Sequence, residues 1–198
     1  MTTSARSVPA RPLPPCAYVP GHDHPHPVTD PRGHLVDATE PAPLPLDQLP
    51  DDPALRHRAV AALLAGHPEW LHALDLFNAG YAWEAHEAWE HFWHALGRTT
   101  PEARLVQGLI HLAAACVKIR EGKPAGVTKH TRRARELLGG TEAAREGGAG
   151  EIGAGTLGLD PASVSDVLAE LERYRPECWQ TAKCRVVKVV ATELRLMG

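Results

Sequence analysis

From Trp83 to His91 the chain reads Trp-Glu-Ala-His-Glu-Ala-Trp-Glu-His, which sets Glu84, Glu87 and Glu90 among His86 and His91. Placed on a helix at about 100° per residue, Ala85, Trp89, Phe92 and Leu96 fall together, with Ala82 and Trp93 beside them. That stripe is a core face. His86 lies at its edge and Glu90 one step further, one turn away on the border between core and water. An imidazole beside a partly buried carboxylate suits a divalent ion or a shifted pKa. The zinc-protease pattern is absent, because the residue four after His86 is Glu90 and not a second histidine. The Glu-x-x-His pair of di-iron bundles is absent too, since Glu87, Glu90 and Trp93 follow Glu84, Glu87 and Glu90 at that spacing. What remains is a His-x-x-x-Glu ligand pair. On the same wheel Glu84, Glu87 and His91 fall on the far side and read as a solvated face.

The next helix supplies partners. Leu105, Val106, Leu109, Ile110, Leu112, Cys116, Val117 and Ile119 make it apolar around most of its circumference, which is the pattern of a central helix. Arg104, Gln107, His111 and Lys118 form one narrow polar stripe, and buried polar groups need partners. The antiparallel neighbour, joined through Arg98–Thr100, offers His86 and Glu90. The functional reading is a pocket of His86, Glu90, Gln107 and His111 with Trp93 as an apolar wall. His86, Glu90 and His111 would hold Zn, Mn or Fe. Glu87 or Glu84 would act as general base on a bound water, and Gln107 or Arg104 would orient a small-molecule substrate. The competing reading is a satisfied hydrogen-bond network in a non-catalytic module. Such a module would dimerise or bind a protein partner through its Trp/Glu face, with Trp83 as the anchor.

Two further clusters bear on this. The N-terminal stretch holds His22, Asp23, His24, His26, Asp30 and His34, and alternate histidines on an extended chain can ligate a transition metal. If the stretch folds over the bundle, His26 or His34 completes the His86/Glu90 site. Further on, Lys129, His130, Arg132, Arg133 and Arg135 stand against a single Glu136. That basic run reads as a solvated face, with an anion or nucleic-acid binder through Lys129–Arg135 as a third reading that would weaken steeply with salt. No nucleic-acid motif accompanies it, so nucleic acid is not the expected partner.

The elements that would position these groups are marked by punctuation. Thirteen of 18 prolines lie in residues 1–53, which forbids helix there and gives an extended arm over 1–52. Tyr18, Val19, Leu35, Leu44 and Leu46 are its candidate anchors. Helical patterns follow from Asp52-Pro53 to Gly66, from Pro68 to Phe77, over Ala82–Gly97, from Pro101 to about Arg120, and from Pro124 to Leu138. Residues 139–158 hold eight glycines, so 139–159 reads as a flexible loop. Asp160-Pro161 starts a last helix within a 160–198 segment, whose tail from Lys183 to Leu196 is ambiguous between strand and helix. The expected fold is all-α: a bundle of five to six helices over 53–138 and beyond, with a Pro/His-rich arm before it.

Composition bounds the partners. The 198 residues are 43% hydrophobic and 23% charged, with a formal net charge of −3, so a uniformly basic surface is excluded. No apolar run reaches the roughly 18 residues of a membrane span, and the start lacks the apolar stretch of a secretory signal. Cys16, Cys116, Cys178 and Cys184 are too few for a disulfide scaffold, which leads to the expectation of a reducing cytoplasm.

The run from Leu76 to Trp93 resembles the signature of the domain of unknown function 309 family. Its core, Glu-Ala-His-Glu-x-x-Glu-x-x-Trp, falls on Glu84, Ala85, His86, Glu87, Glu90 and Trp93. The run Val106-Gln107-Gly108-Leu109-Ile110-His111-Leu112-Ala113-Ala114-Ala115 and the turn from Gly122 to Gly126 resemble the family as well, over about residues 70–138. The patterns around Tyr18–Gly21, Pro25–Pro27 and Asp30–His34 look like an N-terminal extension of some members. The resemblance implies a small all-α fold and no established activity. It also puts Glu84 and Glu87 in the signature, so both are expected to face the arm or a partner subunit.

Overall fold

Three helices begin in the same way. Asp52, Thr100 and Asp160 accept backbone N–H bonds from the first turn, and Pro53, Pro101 and Pro161 follow as first helical residues. Proline fits there because that N–H has no helical acceptor, and each cap contributes about 1 kcal/mol. The computed structural model describes residues 6–22, 25–35, 43–139, 153–174 and 186–197. Among them are six α-helices and no strand: α1 Pro53–Ala65, α2 Pro68–Ala79, α3 Ala82–Ala95, α4 Pro101–Arg120, α5 Pro124–Leu138 and α6 Pro161–Arg173. The expected all-α architecture is what forms. No helix among the described residues is long and apolar enough to cross a membrane.

The nearly all-round apolar α4 is central, packing on α3 on one side and α5 on the other. Its Leu105, Val106, Leu109, Leu112, Cys116 and Ile119 are buried with Ala85, Trp89 and Phe92 of α3. Burial raises the Cys116 thiol to about 12, so it serves as a small apolar side chain. Gly108 lets α5 approach closely, since a Cβ there would stand 2.5 Å from Leu138 Cγ. Of the polar stripe on α4, Gln107, His111 and Lys118 are half-buried, while Arg104 is exposed and does not join them.

The arm lies on this bundle. Ala17 and Val19 are buried, and Leu13, Leu44 and Leu46 pack against the core. Two buried carboxylates seat its backbone. Asp75, 5% exposed, accepts the N–H groups of Ser7 and Val8 at 2.8 Å each. Glu84 accepts that of Tyr18. The alternating His22–His26 run includes Asp23 and His24, which lie outside the described residues.

The glycine-rich stretch expected as loop falls partly outside the described residues. Its end, 153–159, forms a 3-10 turn with Leu157 and Leu159 fully buried. Residues 186–197 of the tail form no helix or strand and make one antiparallel bridge, Leu159 to Leu196. Asn78 at the end of α2 pairs both its amide atoms with the backbone of Leu194 at 2.9 Å.

Candidate metal centre

α3 presents Trp83, His86, Glu87 and Glu90 along one side, at helical steps of three, four and seven. His86, Glu87 and Glu90 are each half-buried, and one ligand atom from each lies within 4.8 Å of the others. They are the one His/Cys/Asp/Glu group of this kind among the described residues. His86 Nδ1 stands 3.4 Å from Glu87 Oε1 and is buried without a hydrogen-bond partner. A buried ring nitrogen left unpaired carries a desolvation penalty of about 1–3 kcal/mol. An ion bound by one nitrogen and two carboxylate oxygens would remove it. That mixed donor set suits Zn, Mn or Fe. Glu87, expected as a general base, stands within this group of possible ligands.

His111 is not in that group. Its Nδ1 faces Nδ1 of His130 on α5 at 3.0 Å, with ring centroids 5.2 Å apart. Burial pushes His111 down to about 4, helped by His130, Arg133, His86 and Lys129. Burial also depresses His130, helped by Lys118, Lys129 and His86, against Glu121. Both rings are thus neutral at neutral pH. His130 escaped the sequence reading because it lies within a basic run. The signal for it was present: Val127, Thr131, Ala134 and Leu138 mark the buried side, and His130 borders it.

The arm histidines go elsewhere. His34 Nε2 is 3.2 Å from Glu84 Oε1, one turn before the trio's end of α3. His26 packs edge-on against Tyr18 and Trp83, and its Nδ1 accepts the N–H groups of Val28 and Thr29. Neither joins His86 and Glu90. Glu84 itself corrects the solvated-face reading, because it is 1% exposed under Tyr18 and His34. A wheel sees only one helix and not the chain that later covers it. Buried Arg120 of α4 adds a further charge near Glu84, and that carboxylate opposes the loss of the arginine's proton on burial. Trp93, expected as a pocket wall, is tied to the α3–α4 turn by an Nε1–H bond to the Arg98 carbonyl at 3.0 Å. Gln107 is half-buried on α4 and His91 is exposed.

Residues 70–130 match the model of one protein family, whose description is Domain of unknown function (DUF309). The match takes in α3, α4, the trio and both paired histidines, and leaves out the arm and the tail. No curated protein and no solved structure matches the chain.

Proposed function

With residues 70–130 matching the model of the DUF309 family of domains of unknown function, a match that assigns no reaction, we propose from the site itself that the chain is a divalent-metal-dependent, hydrolase-like enzyme. The supporting observation is the convergence of His86, Glu87 and Glu90, half-buried on one side of α3 with an unpaired buried Nδ1. Three protein ligands leave coordination positions open, as catalytic sites require and closed structural sites do not. A Zn, Mn or Fe ion so held would lower the pKa of a bound water toward neutrality. His86 and the two carboxylates fix the reacting position on a rigid helix. Because Glu87 is occupied as a ligand, the neutral His111–His130 pair takes the role of proton acceptor, and an uncharged imidazole is the form that can do so. Half-burial of all five side chains keeps the site reachable by a small molecule.

The alternative is a non-catalytic module in which the His/Glu cluster is a structural network. His86 argues against it, since its buried nitrogen makes no hydrogen bond that a network would supply.

Elemental analysis of the untagged protein as purified, beside His86→Ala and Glu90→Gln, tests the reading. Near-stoichiometric Zn, Mn or Fe in the wild type, lost from both folded variants, is the expected result. A metal-free wild type that also fails to take up Zn²⁺ or Mn²⁺ on dialysis overturns it.

A further inference from the structure

We infer that the cavity between the arm, the end of α2 and the tail binds an uncharged small molecule, an apolar body carrying one acceptor oxygen for the Nε–H of Arg6. None of His86, Glu87 and Glu90 lines this cavity, so it stands or falls apart from the metal reading.

Two side chains of α2 create the space. Asp75 accepts the backbone N–H groups of Ser7 and Val8 at 2.8 Å each, which seats the arm on α2. Asn78, one turn on, holds the backbone of Leu194 in the tail by both its amide atoms at 2.9 Å. The two seated segments leave between them a cavity of about 360 Å³. That lies within the range of small-molecule pockets, about 300–1,000 Å³. Leu13 of the arm, Leu74 and Ala79 of α2, and Leu194 and Leu196 of the tail give it apolar walls.

Arg6 supplies the polar contact. Its Nη2 donates to the carbonyl of Val8 at 3.0 Å and to that of Arg11. Its Nε is buried and makes no hydrogen bond. Oδ2 of Asp75 stands 3.8 Å from it, beyond hydrogen bonding, and already receives the Val8 N–H. A buried donor left so costs free energy that an acceptor oxygen would recover. Charge selects against an ion. The lining holds two cations, Arg6 and Arg195, and two anions, Asp75 and Glu193. Each is faced by an opposite charge: Arg6 by Asp75, Arg195 by Asp160 at 3.1 Å, and Glu193 by Lys188 at 2.8 Å. A charged ligand would give up hydration and meet no unpaired counter-ion, whereas a carbonyl oxygen needs only the Nε–H.

The test uses three probes with one apolar body and different heads: cyclohexanecarboxamide, cyclohexanecarboxylate and cyclohexylmethylammonium. Each is titrated against the full chain by ligand-observed NMR. The amide is expected to bind at millimolar concentration, and both ions more weakly. Hydrogen exchange should show that the amide protects residues 6–13 and 193–196 together, since both segments line the cavity. Ala79→Leu fills the space without removing a hydrogen bond of arm or tail, and is expected to abolish binding. Arg6→Lys keeps the positive charge beside Asp75 and replaces Nε by a methylene. It is expected to weaken amide binding about 10-fold, the usual worth of one hydrogen bond to a charged group. Exchange of the Ser7 and Val8 amides reports whether the arm stays seated in that variant; if it does not, Ala79→Leu decides alone. No binding of the amide overturns the inference. So does binding that survives in Ala79→Leu, amide binding undiminished in a seated Arg6→Lys, or an ion that binds as tightly as the amide.

Discussion

The backbone N–H of Tyr18 points at Oε1 of Glu84 from 2.8 Å, and the carboxylate receiving it is 1% exposed. A side chain of the helix that carries the candidate metal ligands is thereby spent on the arm. Glu84→Ala removes the acceptor of the Tyr18 N–H and should cost about 1–3 kcal/mol. Glu84→Gln keeps an acceptor oxygen and should cost less. Urea denaturation reads the difference, and limited proteolysis should cut the arm sooner in the alanine variant. Because Glu84 lies outside the His86/Glu87/Glu90 group, metal content should be the same in Glu84→Gln as in the wild type. A metal-free Glu84→Gln protein would show that the two clusters are one.

The acid limit of stability follows from the histidines. An exposed histidine of the unfolded chain titrates near 6.5. His111 and His72 are held near 4 in the folded chain, chiefly by burial. His130 is lowered as well. Between those values the unfolded chain takes up protons that the folded chain refuses, so their contribution is complete above about pH 6.5 and is lost as pH falls toward about 4. Urea unfolding of the metal-free protein should therefore weaken progressively over that window. His111→Gln should flatten the slope. A loss beginning only below about pH 4.5 would assign acid unfolding to carboxylates instead.

Gly80 sets a backbone limit. It ends α2 at φ +95°, where L side chains are strained, and a Cβ would stand 2.9 Å from the backbone N of Lys188. Gly80→Ala should cost about 1–2 kcal/mol from the left-handed backbone alone, with more from displacing the tail. Hydrogen exchange should show the loss concentrated in residues 186–197. Unchanged protection there would mean that the tail does not depend on this approach.

Helix boundaries were legible because the signals are local. Prolines open α1, α2, α4, α5 and α6, and glycines follow the ends of α1, α2, α4 and α5, so those bounds were legible within a few residues. The end of α6 at Arg173 was not. The core faces of α3 and α4 followed from period alone. His86 and Glu90 were legible as a pair for the same reason, lying on one helix, whereas Glu87 read as a solvated residue or a general base and not as their neighbour in one group. Partners across elements were not. His111 met His130 instead of His86 because α4 is flanked by α5 as well as α3, and a stripe does not say which neighbour it faces. Glu84, Glu102, Asp75 and Arg120 are buried charges whose partners, such as Arg56 on Glu102 at 3.4 Å, come from distant segments. Their burial depends on tertiary cover that no window contains. Leu157 and Leu159 were hidden by the glycines around them, which set backbone entropy and say nothing of the two leucines between.

Metal binding should also register as stability. A ligand that binds only the folded chain stabilises it by about 2.7 kcal/mol at a hundred times its Kd. Excess Mn²⁺ or Zn²⁺ should therefore raise the melting temperature of the wild type by several degrees. His86→Ala and Glu90→Gln should each abolish the rise, since each removes one of the three candidate ligands. In the absence of metal, His86→Ala should be neutral to slightly stabilising, because it deletes a buried nitrogen that has no hydrogen bond to lose. Glu90→Gln should be close to neutral, since Glu90 takes part in no ion pair among the described residues. A structural network predicts the reverse for His86→Ala: a metal-free loss of about 1–3 kcal/mol with no metal-dependent shift in any variant. The sign of that one metal-free difference separates a candidate metal ligand from a hydrogen-bond partner.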